Sequence, residues 1–93
     1  MTTQLFTART TDGQSSELNW SGGFGTFVVG GTFNSVTVKL EMSPDGATTW
    51  FDVGADVTLT EAGIANFQLG VCVLRVDLAS TSSPAPSINA WVV

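Results

Sequence analysis

The chain has 93 residues with eight acidic and three basic side chains, a net charge of −5, no histidine, no tyrosine and one cysteine. The missing histidine excludes Ser-His-Asp and Cys-His nucleophilic sites, and one cysteine allows neither an internal disulfide nor a thiolate zinc site. Three scattered cations, Arg9, Lys39 and Arg75, give no phosphate-tracking patch, so no nucleic acid is expected as a partner, and no apolar run is long enough to span a membrane.

Threonine, valine, phenylalanine and glycine dominate, and no segment carries apolar residues at helical spacing between caps, so every predicted element is a strand. Residues 4–9 and 17–20 precede the first glycine cluster. The strand over 24–29 follows Gly22-Gly23 and stops at Gly30-Gly31. The clearest strand covers 35–42, where Val36, Val38, Leu40 and Met42 alternate with Thr37, Lys39 and Glu41, the period of a half-buried antiparallel strand. Short strands over 49–53 and 56–60 follow, then 64–69 beyond the Glu61-Ala62-Gly63 turn. In the strand over 71–78, Cys72, Leu74, Val76 and Leu78 form one face. Val71, Val73, Arg75 and Asp77 form the other, apolar at first and then charged, as if its first end were covered and its last end open to water. The stretch 80–86, with Pro84 and Pro86, lacks the donors of a central strand and reads as a surface loop. A last strand over 87–93 puts Trp91 on the face opposite Ile88, Ala90 and Val92. About eight or nine short strands at spacings near ten residues predict an all-β fold, an antiparallel, jelly-roll-like β-sandwich with short connections.

The whole chain, 1–93, reads as one domain with a short N-terminal arm over about 1–11. The scaling of surface with mass expects about 5,100 Å² exposed when folded. Apolar residues make up 43% of the chain and charged residues 12%, so apolar side chains must reach the surface of so small a domain, as they do in oligomers and docked subunits. Met1 and the polar residues after it read as the start of a complete short product without a secretory signal.

Chemistry has little to build on. Cys72 sits in an apolar run and reads as a small buried hydrophobe, with no cation beside it to activate the thiol. The carboxylates Asp45, Asp52, Asp56 and Glu61 are the remaining acid/base groups. They read as solvated turn residues, with glycoside cleavage and calcium binding left as alternatives. No cofactor or metal is expected, and the chain is not expected to be an enzyme. Trp20, Trp50 and Trp91 read as core or subunit-interface residues, with a ligand-stacking platform as the alternative.

The segment Ser43-Pro44-Asp45-Gly46-Ala47-Thr48-Thr49-Trp50 resembles the Asp-box, a β-hairpin motif of the form Ser-x-Asp-x-Gly-x-Thr-Trp, with Ala47 in place of the usual glycine. Pro44 presets the turn, Asp45 can accept from the backbone ahead, Gly46 relieves the return, and Trp50 is expected to pack back on the hairpin. The resemblance implies that Ser43, Asp45, Gly46 and Trp50 serve folding. A wider pattern joins Gly31-Thr32-Phe33, the strand over 36–42, Ser43-Pro44-Asp45-Gly46, Thr49-Trp50, Asp52-Val53, Leu59, Gly63, Phe67 and Leu74-Arg75-Val76. It resembles small β-sandwich virion structural proteins of tailed bacteriophages, over roughly residues 22–93.

That resemblance implies a capsid decoration or cement protein that binds and stabilises the assembled phage head. It implies a homotrimer on the major capsid protein or another virion protein, and a place in the virion after assembly in the host cytoplasm. A tail, neck or fibre component acting as a carbohydrate- or receptor-binding module is the alternative. The expected partner contacts are Leu5 and Phe6 on the arm, Pro84 and Pro86 on the stiff loop, and Trp91 nearer the subunit contact.

Overall fold

The computed structural model describes residues 3–79 and 85–93. Among these residues the chain forms ten strands and one short 3-10 turn. One sheet has the order β1 (Thr3–Arg9), β10 (Ser87–Val92), β4 (Gly23–Thr32), β8 (Gly63–Leu69). The other is centred on β9 (Cys72–Ala79) and β5 (Thr37–Ser43), which pair with each other. The short strands β2 (Gly13–Gln14) and β3 (Leu18–Trp20) flank β9, while β6 (Phe51–Asp52) and β7 (Thr58–Leu59) flank β5. Every pairing is antiparallel, and the chain passes repeatedly from one sheet to the other. This is an antiparallel β-sandwich of jelly-roll type. Its accessible surface is 4880 Å², close to the expectation from mass.

The core forms where the inward residues of the two sheets meet. Phe27, Val29, Phe67, Ile88, Ala90 and Val92 face Val38, Leu40, Leu74, Val76 and Leu78, all buried. The alternation read from Cys72 to Leu78 and around Trp91 is the alternation of burial in β9 and β10, whereas in β5 it holds only as far as Leu40: Glu41, expected on the open face, is buried, and Met42 is only partly so.

Five further readings are corrected. The segment 24–29 does not stop at Gly30-Gly31: β4 runs through both glycines, because β10 supplies ladder partners as far as Thr32. At Gly31, with φ +111°, a side chain would strike the Ser87 carbonyl. Residues 56–60 form a 3-10 turn (Ala55–Val57) and then the two-residue β7. The end of β9 expected to be covered is open: Val71 follows the Gly70 turn and is 80% exposed, while Arg75 is covered. The N-terminal segment 3–9 is no free arm. It pairs with β10 as an edge strand, and Phe6 lies in the core at 2% exposure. Finally, Pro86 is fully buried, since it leads directly into the central strand β10.

Candidate functional site

The two outer faces of the sandwich are unlike. On the β9–β5 sheet, the outward residues are charged and mutually paired. Arg75 Nε donates to Glu41 Oε1 at 2.7 Å. Lys39 Nζ lies 3.1 Å from Asp52 Oδ1 and 3.9 Å from Glu41 Oε2. Gln14 donates to Asp77 at 2.7 Å. The hydrogen bond to Asp52 raises the Lys39 pKa above its ordinary value. The Trp50 ring covers this group, 4.0 Å from the Arg75 guanidinium carbon. Trp50 therefore packs on the outer face of its sheet, neither in the core nor merely back on its own hairpin.

The hairpin beneath Trp50 is held by its own polar side chains. The Ser43 hydroxyl donates to Asp45 Oδ1 at 2.8 Å and accepts from the Ala47 N–H at 2.9 Å. The Thr49 N–H donates to Asp45 Oδ1 at 2.8 Å. That donor, with the Ser43 hydroxyl, pulls the Asp45 carboxyl down to about 2. Asp45 thus organises a turn. Asp52 is committed to Lys39, and the four carboxylates named from the sequence do not converge. Among the described residues no three metal-capable side chains form a group.

The other sheet carries one charged residue in its strands, Arg9 at the end of β1. β4, β8 and β10 contain no charged residue at all. Their register sets Trp91 beside Val28 and Val28 beside Ile64, a row across three strands. On β1, Gln4 extends the row beyond Trp91. Val93 pairs with Thr26, and Phe24 stands farther along β4. Phe24 and Ile64 are 79% and 71% exposed. Amides surround these apolar groups: Asn89, Asn66, Gln68 and Gln4. Neutral amides and flat apolar side chains suit docking against a protein or sugar surface and offer no proton-transfer group.

Of the contact residues named from sequence, only Trp91 lies on this face. Phe6 is in the core, Leu5 packs partly against it, Pro86 is buried, and Pro84 lies outside the described residues. Val28, Ile64 and Phe24 were not singled out. Their alternation put them opposite Phe27 and Phe67, but only strand register shows that they share a face. Trp20 is a partly buried wall of the core, tilted against Phe67 at 5.2 Å. A side chain at Gly25 would press on both rings. Burial raises the Cys72 pKa, in keeping with a packing role.

No family model and no curated protein matches the sequence. Among solved structures, the Yersinia pseudotuberculosis-derived mitogen is similar over 100% of this chain and 81% of its own, with TM-score 0.60 and 11% identity. Two weaker likenesses are infectious bursal disease virus, Gx strain, and a CBM36-1 domain of a multidomain xylanase from the hindgut metagenome of Trinervitermes trinervoides. The first has TM-score 0.48 and 13% identity, over 99% of this chain and 28% of that one. The second has TM-score 0.43 and 11% identity, over 100% and 97%. At these identities the likeness is one of fold, and the mitogen carries it: a β-sandwich of jelly-roll type.

Proposed function

We propose that this is a non-catalytic structural protein of a tailed-phage particle, a decoration or cement protein that docks on the assembled head through the outer face of the β1–β10–β4–β8 sheet. One observation carries the reading: three of that sheet's four strands, β10, β4 and β8, carry no charge in a protein of net charge −5. The outer face of the opposite sheet brings carboxylates to a contact, and this one brings Trp91, Val28, Ile64 and amides. A protein that binds only the assembled lattice stabilises it by mass action, and repeated weak sites act together. A trimer would present three such faces at once.

Co-sedimentation with assembled heads and with unassembled capsid subunits tests this. Binding to heads alone is expected, and Trp91→Lys with Ile64→Lys should abolish it while leaving the melting curve intact, because both side chains point away from the core. Equal binding by the double variant would overturn the docking face.

A second reading has its own observation. Trp91 stands in register between Gln4 on β1 and Val28 on β4, with Asn89 two residues back on the same face of β10. An aromatic ring edged by amides can stack a sugar, as a receptor-binding module of a tail or fibre would. Quenching of tryptophan fluorescence by a glycan, lost in Trp91→Ala, would favour this reading over the first.

A further inference from the structure

We propose that the free edge of β8 is a strand-addition site for an extended, basic segment of another polypeptide, which would become the fifth strand of the β1–β10–β4–β8 sheet. The argument begins with main-chain direction. Thr26 and Val93 exchange both backbone bonds, at 3.1 and 2.9 Å. A residue that does so on one side has neither group left for its other neighbour. Thr26 is therefore a non-bonded partner of Asn66, with which it is in register. The N–H and C=O of Asn66 accordingly point away from β4, towards the open edge. Alternation gives Ile64 and Gln68 the same direction, while Ala65 and Phe67 bond to β4. No backbone bond from another segment of the described residues meets these edge groups.

The other edges are blunted. β1 has two register shifts and a positive φ at Ala8. β2, β3, β6 and β7 are two or three residues long. β8 keeps unbroken register with β4 from Gly63 to Leu69, without proline, bulge or charge. Long regular edges of that kind pair with other chains unless something covers them. Beside this edge runs a groove of about 350 Å³, walled by Asn66, Phe67 and Gln68 on one side and by Gly54, Asp56 and Val57 on the other.

Charge selects the occupant. Asp56 lines the groove and Glu61 stands just before the strand, and neither joins an ion pair among the described residues. Lys39 and Arg75 are committed on the opposite sheet, and Arg9, on β1 at the far edge, donates to the Thr11 and Asp12 carbonyls. A second copy paired edge to edge would add its own Asp56 and Glu61 to the seam and no cation from β8. A strand with lysine or arginine at its ends would neutralise them. The site shares Ile64, Asn66 and Gln68 with the docking face but goes beyond the docking reading: it needs the backbone of the edge and not Trp91.

The test is amide hydrogen exchange on the full chain by NMR, with the peptide acetyl-Lys-Thr-Val-Thr-Val-Thr-Lys-amide as the probe. In the free protein, Ile64, Asn66 and Gln68 should exchange fast, and Ala65 and Phe67 slowly. Millimolar peptide should slow the three fast amides by at least about tenfold, in Trp91→Ala as in the parent chain. Asn66→Pro removes an N–H that only the incoming strand would use, and should abolish this protection. A peptide N-methylated at alternate residues makes the same cut without touching the protein. Unchanged exchange at all three amides, or equal protection by the N-methylated peptide, would overturn the proposal. So would equal protection by a peptide with glutamate ends. Concentration-dependent protection without peptide would assign the edge to a second copy and overturn it too.

Discussion

Trp50 lies over Arg75, with the guanidinium carbon 4.0 Å from the ring centroid, while the same guanidinium donates to Glu41 at 2.7 Å. The ring shields an ion pair whose carboxylate side chain is only 11% exposed. This has a measurable consequence. Trp50→Ala removes a cation–π contact and a lid, not a core ring, so it should cost about 1–2 kcal/mol and not the 3–5 typical of core aromatics. Arg75→Ala should cost more, about 3 kcal/mol, because it leaves Glu41 largely buried with only a distant Lys39. Urea denaturation of both single variants and the double variant checks this, and the double should cost less than the sum.

Phe6 ties the N-terminal strand to the core across from Ala90. Phe6→Ala should therefore cost about 3–5 kcal/mol. Deleting residues 2–9 should leave no cooperative unfolding transition, since it also strips the ladder partner from β10. A truncated chain that melts like the parent would show that β1 adds nothing to stability.

Asp45 has its pKa lowered to about 2 by the Thr49 N–H and the Ser43 hydroxyl, against an ordinary 3.8. The unfolded chain takes up that proton first. The stabilisation is whole above about pH 4 and is lost as pH falls through 2. Melting temperatures of the parent and of Asp45→Asn should differ at pH 5 and converge only below pH 2. The Lys39 pKa is raised by its hydrogen bond to Asp52. That contribution is whole below the ordinary lysine value of 10.5 and fades as pH rises through the higher folded value.

Ala47 sits at φ +77°, next to Gly46 at +76°. A non-glycine residue there costs about 1–2 kcal/mol. Glycine relieves this but orders a freer unfolded chain, so Ala47→Gly should stabilise by roughly 0.5–1 kcal/mol net. The denaturation midpoint should rise with an unchanged slope.

Composition and period-two alternation by themselves determined the fold class, the inward faces of β9 and β10 and of β5 as far as Leu40, and the outward position of Trp91, because side-chain alternation along an extended strand is a local property. The Ser43–Asp45 turn was legible for the same reason, its hydrogen bonds spanning only a few residues. What the tertiary structure decided is which strands lie side by side. Phe6 became core because β10, more than eighty residues away, lies beside it. Gly30 and Gly31 stayed in a strand because the same β10 supplied ladder bonds that outweigh their weak strand preference. Trp91, Val28 and Ile64 became one surface only through register, and β8 became an open edge only because no other strand among the described residues pairs beyond it. Alternation assigns a residue to a face, but neighbours across a sheet are set by pairing between segments far apart in sequence, and no local pattern encodes that choice.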